Sequence, residues 1–206
     1  MDRQLSVFVW GHSFIRRLES YCQGDSRRYN MGLSVDKHSL FWKSRGGCTT
    51  IQARLDFKII DQVKADMMII DIGTNDLDSQ RVPPNILAEQ VFESAKVVHY
   101  MYPSIKKIII LEILFRTPSG TYPRRNPDFI SDAHQYNNKM KLLMREYPDR
   151  QSSPIVFWHH KGLVQNWDQY IADGVHLNAA GMAKYYKSVR RAILQYTPDV
   201  RKQIQD

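Results

Sequence analysis

The chain has 206 residues, enough for one well-packed domain and too few for two ordinary ones, so we predict a single domain over 1–206. Hydrophobic residues make up 43% and charged residues 24%, a balance that excludes disordered and fibrous proteins. Lysine and arginine outnumber aspartate and glutamate by 29 to 21, and the formal net charge of +8 favours anionic partners such as RNA or acidic lipid.

The sequence carries no signal for a membrane or an oxidising compartment. Its apolar runs fall short of the ~20 residues that a membrane-spanning helix needs, and its first residues, MDRQLSVFVWGHSF, lack the basic start and long apolar segment of a signal peptide. Cys22 and Cys48 do not form a CxxC motif, so they predict neither a disulfide framework nor a metal site. We therefore expect an intracellular protein with reduced thiols, with the cytoplasm favoured over the nucleus.

Short β-rich apolar runs alternate along the chain with longer segments of helical periodicity. This alternation is typical of an α/β fold, in which helices cover both faces of a parallel sheet. The predicted strands are 5–10, 38–42, 67–72, 107–114 and 154–158. The predicted helices between and after them are 14–21, 50–62, 84–101, 131–147 and 179–195.

Helix boundaries and one loop have clear local signals. Asn178 suits the N-cap of the last helix, Pro84 suits a first helical turn, and Pro148 is expected to stop a helix just after Tyr147. The segment 116–128, RTPSGTYPRRNPD, holds three prolines and a glycine and predicts an irregular loop. Because such loops border the ligand crevice in open α/β sheets, it is a candidate substrate-facing flap, with a plain surface loop as the alternative.

Four short motifs fall at strand ends or helix starts. They are GHS at 11–13, GG at 46–47, GTND at 73–76 and DGVH at 173–176. Because the carboxyl ends of parallel strands meet at one edge of the sheet, we expect all four motifs to border a single crevice.

Three residues of these motifs have the chemistry of a nucleophilic triad. Ser13 is predicted to lie where a strand turns into a helix, which presents its hydroxyl to the crevice. Serine needs a neighbouring base, and His176 can supply one near neutral pH. Asp173, three residues earlier, can hold the imidazole in the required tautomer, and the alternative is that it only caps the turn before the last helix.

Acyl transfer also needs donors for the developing oxyanion. We assign the backbone N–H groups of Ser13 and Gly47 and the side-chain amide of Asn75. The sequence leaves open whether Gly46 or Gly47 supplies the second donor. Asp76 is expected to cap or turn the loop after the third strand rather than to perform chemistry.

Taken together, the four motifs resemble those of the SGNH, or GDSL-like, hydrolases. GHS stands where that family has GDS, GGCTT resembles its glycine block, GTND is similar to its third block and DGVHLN to its final DxxH block. The match spans residues 7 to 181. The resemblance implies a flavodoxin-like three-layer α/β/α sandwich with five strands in the order 2-1-3-4-5. It also implies an esterase that works through an acyl-enzyme and uses neither a metal nor another cofactor.

Two positions depart from the family pattern. His12 replaces the usual aspartate before the nucleophile, and Cys48 replaces the aspartate that often follows the glycine of the second block. Neither position belongs to the assigned triad, but both bear on the hydrogen bonding around Ser13.

GHSFIRRL and DGVHLNAAGMAKYYKSVRRAIL are most similar to esterase domains that some LINE-type animal retrotransposons encode in their first open reading frame. That resemblance implies short acyl, acetate-like substrates and a larger protein that associates with RNA. A second hypothesis is therefore a nucleic-acid-associated module on a hydrolase scaffold. Lys184, Lys187 and Arg191 share one face of the predicted last helix, which is either a phosphate-binding face or an ordinary solvated one. The sequence does not determine the oligomeric state.

Overall fold

A computed structural model of the protein describes residues 3–55, 58–116, 126–147 and 153–205. Five parallel strands form one sheet in the order β2-β1-β3-β4-β5, as the family resemblance implies. The strands are β1 Leu5–Gly11, β2 His38–Ser44, β3 Met67–Asp71, β4 Lys107–Leu111 and β5 Ile155–Trp158.

Within the described ranges, six α-helices cover the sheet. They are α1 Ser13–Gln23, α2 Thr50–Leu55, α3 Lys58–Val63, α4 Pro84–Met101, α5 Phe129–Glu146 and α6 Ala179–Gln205. Shorter 3₁₀ or π turns span Ser26–Gly32, Asp76–Gln80 and Trp167–Tyr170. Of the helices in the described ranges, none is long and apolar enough to cross a membrane.

Alternate residues of the central strands enter two separate cores. Phe8 and Trp10 of β1 pack with α2, α3, α4 and α5, whereas Val7 and Val9 pack with α1 and α6. Because side chains alternate across a strand, an apolar run buried on both faces is what a covered parallel sheet requires. The three-layer α/β/α prediction is confirmed.

The fourth strand is shorter than the predicted range 107–114. It ends at Leu111, and the next residues stay buried although they leave the sheet. Asn137 of α5 explains the departure, because its side-chain amide donates to the carbonyl of Ile113 and accepts from its N–H, each at 3.0 Å. The side chain thus replaces a strand partner, and an apolar pattern alone cannot reveal that substitution.

Four of the five predicted helices also have different bounds, and two of them differ most. The range 50–62 holds two helices, α2 and α3, and residues 56–57 lie outside the described part. The last helix was predicted to end at 195 but continues to Gln205 through Pro198. Proline removes one helical hydrogen bond, yet the helix continues because Val200 beyond it is fully buried in the core.

The helix starts signalled by Asn178 and Pro84 are confirmed, whereas α1 begins one residue before the predicted position 14 and α5 two residues before the predicted position 131. The side-chain oxygen of Asn178 accepts the N–H of Gly181 at 2.9 Å and caps α6, and Pro84 opens α4. Helix α5 begins at Phe129 and ends at Glu146, one residue before the predicted end. Pro148 and most of the candidate flap, residues 117–125, lie outside the described residues.

Candidate active site

Ser13 is the first residue of α1, directly after β1, as predicted. It is 7% exposed and therefore buried at the junction of β1 and α1. The junction requires glycine at position 11, because a Cβ there would lie 2.4 Å from the carbonyl oxygen of Asp71. The tight turn therefore follows directly from close packing of β1 against the end of β3.

His12, which replaces the family's usual aspartate, is fully buried and has two functions in the fold. Its Nδ1 accepts the N–H of Phe14 at 3.3 Å and caps α1. Its Nε2 lies 3.2 Å from Oδ1 of Asp71 and 3.1 Å from Oγ1 of Thr74. Because Nδ1 accepts a hydrogen bond, we assign the proton to Nε2. The substitution thus keeps a capping acceptor beside Ser13 and ties α1 to the ends of β3 and its loop.

Asp71 completes this buried group, since its second oxygen accepts a 2.5 Å hydrogen bond from the hydroxyl of Tyr185 on α6. Neither Asp71 nor Tyr185 was identified from the sequence. Asp71 was hidden inside an apolar strand, and only the unusual histidine at position 12 hinted that a carboxylate partner was needed.

Asp173 and His176 form the predicted pair on the loop before α6. The imidazole Nδ1 lies 2.8 Å from Oδ2 of Asp173. The other carboxylate oxygen accepts the N–H groups of Val175 at 3.0 Å and of His176 at 2.7 Å. One aspartate therefore fixes both the loop backbone and the ring, so the orienting role and the turn-capping role that the sequence left open are both present.

The electrostatics of this pair favour a neutral base. Partial burial opposes ionisation of Asp173, but hydrogen bonds from His176 and from two backbone N–H groups outweigh it and lower its pKa to about 2. Burial lowers the pKa of His176 below its usual 6.5, and the charges of Arg17 and Arg116 act in the same direction against the raising effect of Asp173. With Nδ1–H donated to the carboxylate, the proton-accepting nitrogen of the neutral ring is Nε2.

His176 lies against the start of α1. Its ring centroid is 6.5 Å from that of Phe14, the residue that follows Ser13, in an edge-to-face arrangement. This contact brings the pair from the α6 loop to the helix terminus that carries the candidate nucleophile. The hydrogen bond between the Ser13 hydroxyl and Nε2 of His176 stays a prediction.

The glycine motif after β2 forms a tight turn beside Ser13. The N–H of Arg45 donates to the carbonyl of Gly11 at 3.0 Å, which fixes the turn to the residue before the GHS histidine. Gly47 has φ +70, and a Cβ at that position would have no atom within 4 Å. Its backbone is thus open on one side, as a donor that must approach a substrate requires.

Asn75 is tied to this turn. Its Nδ2 donates to the carbonyl of Cys48 at 2.9 Å, and an amide nitrogen has a second N–H for another acceptor. Cys48, the second departure from the family pattern, thus contributes its backbone to the site, while its side chain is buried. Asp76 was expected to cap or turn the loop after the third strand, but its carboxylate accepts the N–H and the hydroxyl of Thr50 and so caps the start of α2.

Arg116 is a site residue that the sequence analysis assigned only to a loop. It is 3% exposed, its Nη1 pairs with Oδ2 of Asp78 at 2.9 Å, and its Nη2 lies 3.5 Å from Oδ1 of Asn75. Burial lowers the pKa of Arg116, and Asp78 opposes that effect. The sequence offered one signal for this role, which is that the apolar run KIIILEILFR ends in a cation. Arg116 thus contacts the oxygen of the Asn75 side-chain amide, opposite to the nitrogen that donates to Cys48.

The histidine pair at 159–160 has other partners. His159 Nδ1 lies 2.7 Å from Oε2 of Glu112, and His160 Nδ1 lies 2.8 Å from the hydroxyl of Ser188. Among the residues that the structure describes, no group of three or more histidine, cysteine, aspartate or glutamate side chains is arranged to hold a metal ion.

Comparisons with known proteins agree with the fold. The family model described as GDSL-like lipase/acylhydrolase matches residues 10–184. A GDSL-like lipase from Bacteroides thetaiotaomicron has a similar structure, with a TM-score of 0.70, 17% identity and coverage of 92% of this chain and 88% of that one. No curated protein sequence matches this chain.

Two similar structures are named as acetyl-ester hydrolases. An acetyl esterase variant solved with acetate ion has a TM-score of 0.67 and 13% identity, and the alignment covers 96% of this chain and 100% of that one. An acetyl xylan esterase has a TM-score of 0.67 and 15% identity, with coverage of 92% and 100%. At these identities the likeness shows the shared fold. The resemblance to LINE-type esterase domains stays a prediction.

Proposed function

The chain belongs to the GDSL-like lipase/acylhydrolase family, and from this premise we propose that it is a serine esterase of short acyl esters with Ser13, His176 and Asp173 as its triad. The observation that carries the proposal is the Asp173–His176 pair, with its 2.8 Å hydrogen bond, packed against the helix start that holds Ser13. At His176, a hydrogen bond to an orienting carboxylate and a lowered pKa occur beside the helix start that holds Ser13, which is the combination expected of a catalytic base.

The first half-reaction forms the acyl-enzyme. The hydroxyl oxygen of Ser13 attacks the ester carbonyl carbon while Nε2 of His176 takes its proton. Asp173 stabilises the imidazolium without being protonated, which agrees with its pKa of about 2. Collapse of the tetrahedral intermediate breaks the ester C–O bond, and His176 returns the proton to the leaving alcohol.

The second half-reaction restores the enzyme. His176 takes a proton from water as the water oxygen attacks the acyl carbon. When the bond to Ser13 breaks, the acid leaves and His176 returns that proton to the serine oxygen. Both tetrahedral intermediates carry an oxyanion, for which we assign the N–H groups of Ser13 and Gly47 and the second N–H of Asn75. The open backbone of Gly47 and the tie from Asn75 to Cys48 support this set.

We expect acetyl and other small acyl groups to be preferred. An acetyl esterase and an acetyl xylan esterase with this fold support that preference.

The test is a chain-length series of p-nitrophenyl esters, from acetate to decanoate, on the full chain and on Ser13→Ala. We expect turnover that is highest for acetate and that Ser13→Ala abolishes while circular dichroism shows an intact fold. Ser188→Ala is the matched control, because that serine bonds a histidine, His160, and belongs to none of the four motifs. Equal loss of activity in the two variants, or unchanged turnover in Ser13→Ala, would reject the assignment. A maximum at decanoate would keep the triad and reject the short-acyl preference.

A further inference from the structure

A cavity that the proposed esterase chemistry does not use lies at the edge of the sheet, between β5 and α6. It has a volume of about 470 Å³, and Phe157, Trp158, Lys187, Arg191 and Tyr196 are among its walls. We call it the β5–α6 cavity. Its size is within the range of small-ligand sites, and it contains none of the triad residues.

The cavity is strongly cationic. Lys161, Lys184, Lys187 and Arg191 line it, and among the described residues that form its walls there is no aspartate or glutamate. The three α6 residues follow at steps of three and four, which places them on one helical face. Within the described part of the chain, Lys187 and Arg191 form no ion pair. Cations held close together without carboxylates repel one another, so a bound anion stabilises this arrangement.

The remaining walls are aromatic. Phe157, Trp158 and Tyr196 are each partly exposed in the cavity, and the Trp158 and Tyr196 rings meet edge to face at 6.4 Å. The indole N–H of Trp158 donates to Ser188 at 3.0 Å, which fixes that ring. Fixed, half-exposed rings beside cations form the kind of surface on which nucleobases stack.

The neighbouring carboxylates already have partners. Glu112 is buried and binds His159 at 2.7 Å, and Asp199 lies 3.9 Å from Lys107, whose ammonium also lies 5.2 Å from the Tyr196 ring centre. These pairs leave the positive charge of the α6 face uncompensated toward the cavity.

We propose that the β5–α6 cavity binds single-stranded nucleic acid, with phosphates at Lys187 and Arg191 and a base against the aromatic wall. The concave shape and the exposed rings favour a single strand, because its bases are accessible. In a duplex the bases are already stacked and paired, so a duplex is the weaker fit. An acidic lipid surface is the weaker fit, because a flat membrane reaches protruding basic residues and not a recessed aromatic wall.

The test measures fluorescence anisotropy of a labelled oligouridylate of about 12 nucleotides with the full chain across a salt series. We expect affinity to fall with added salt by a log–log slope of about 0.7 per phosphate contacted. The double variant K187E/R191E should weaken binding by about tenfold or more and reduce that slope by about 1.4. The matched control is K37E/K202E, which makes the same change in net charge at exposed lysines outside the cavity and should stay within about twofold of wild type.

A second experiment distinguishes recognition of the bases from attraction to the negative charge of the strand. Tyr196→Leu should weaken oligouridylate binding by about fivefold or more and leave binding of heparin, a polyanion without bases, unchanged. Thermal melting of each variant shows whether the fold is intact. The proposal is overturned if both double variants lose affinity equally, if wild type does not bind the oligonucleotide at about 50 mM salt, or if it binds phosphatidylserine vesicles instead. Equal loss of heparin and oligouridylate binding in Tyr196→Leu overturns the base contact.

Discussion

Two histidine–carboxylate pairs in this chain have nearly the same geometry and very different surroundings. Nδ1 of His176 lies 2.8 Å from Asp173, and Nδ1 of His159 lies 2.7 Å from Glu112. The side chain of His176 is 11% exposed against the start of α1, whereas that of His159 is 43% exposed beside the β5–α6 cavity. A carboxylate orients a ring in both places. What the other ring nitrogen can do depends on its neighbours, and only His176 lies beside the helix terminus that carries Ser13.

The largest expected contrast comes from removing each ring. His176→Ala should lower kcat for p-nitrophenyl acetate by about 10⁴-fold or more, because the serine loses its base. His159→Ala should leave kcat within about twofold, since no proposed step uses that ring. Steady-state kinetics of both variants measures the contrast, and similar losses in the two would remove the distinction between the pairs.

Substitution of the two carboxylates should give the same contrast between the pairs, with a somewhat smaller effect on kcat. Asp173→Asn should reduce kcat by about 10⁴-fold through loss of the required tautomer. Glu112→Gln should leave kcat unchanged but lower the free energy of unfolding by about 1–3 kcal/mol, because its buried oxygens accept from His159 and from the N–H of His160. Urea unfolding alongside kinetics distinguishes the two roles. A catalytic defect in Glu112→Gln with normal stability contradicts them.

The comparison extends to two asparagine side chains. Asn75→Ala should lower kcat by about 10²- to 10³-fold with little change in KM, the expected cost of one oxyanion donor. Asn137→Ala removes two buried hydrogen bonds to Ile113 and should instead reduce stability without changing kcat per folded molecule. A KM effect alone in Asn75→Ala would assign that residue to substrate binding.

The smallest effect concerns pH. The pKa of His176 is below 6.5, and the base acts when neutral, so kcat/KM should fall only when the pH drops through that lowered value. Arg17→Gln removes a positive charge that lowers this pKa. The acid limb of the profile of kcat/KM against pH, where the rate falls as His176 is protonated, should therefore move to higher pH. Lys202→Gln, far along α6, is the charge-matched control and should leave the limb in place. An acid limb above 6.5 in wild type contradicts the electrostatics described for the crevice.

The sequence predicted what local patterns determine. Strand positions, the caps at Asn178 and Pro84, and the placement of the four motifs at strand or helix ends all followed from periodicity and turn chemistry. The early end of β4 could not be predicted, because it depends on Asn137, which is distant in sequence. The helix through Pro198 likewise depends on tertiary burial of Val200.

Within the site, the residues that belong to the sequence motifs were predictable, whereas the buried residues that hold them in place were not. Ser13, Asp173 and His176 occur in recognisable blocks, and two of them form the expected hydrogen bond. Arg116 and Asp71 lie at the ends of apolar strand-like runs, and their partners Asn75 and His12 come from other parts of the chain. Buried polar contacts between distant segments leave no periodic trace in the sequence.

The most direct measurement of the central claim is covalent trapping of the nucleophile. Diisopropyl fluorophosphate transfers its phosphoryl group to an activated serine oxygen with loss of fluoride, and peptide mass spectrometry locates the adduct. We predict one adduct per chain, on Ser13, formed in parallel with loss of esterase activity and absent in His176→Ala. Hydrolysis that continues while Ser13 is fully modified, or an adduct on Ser188 that accompanies inactivation, would contradict the account.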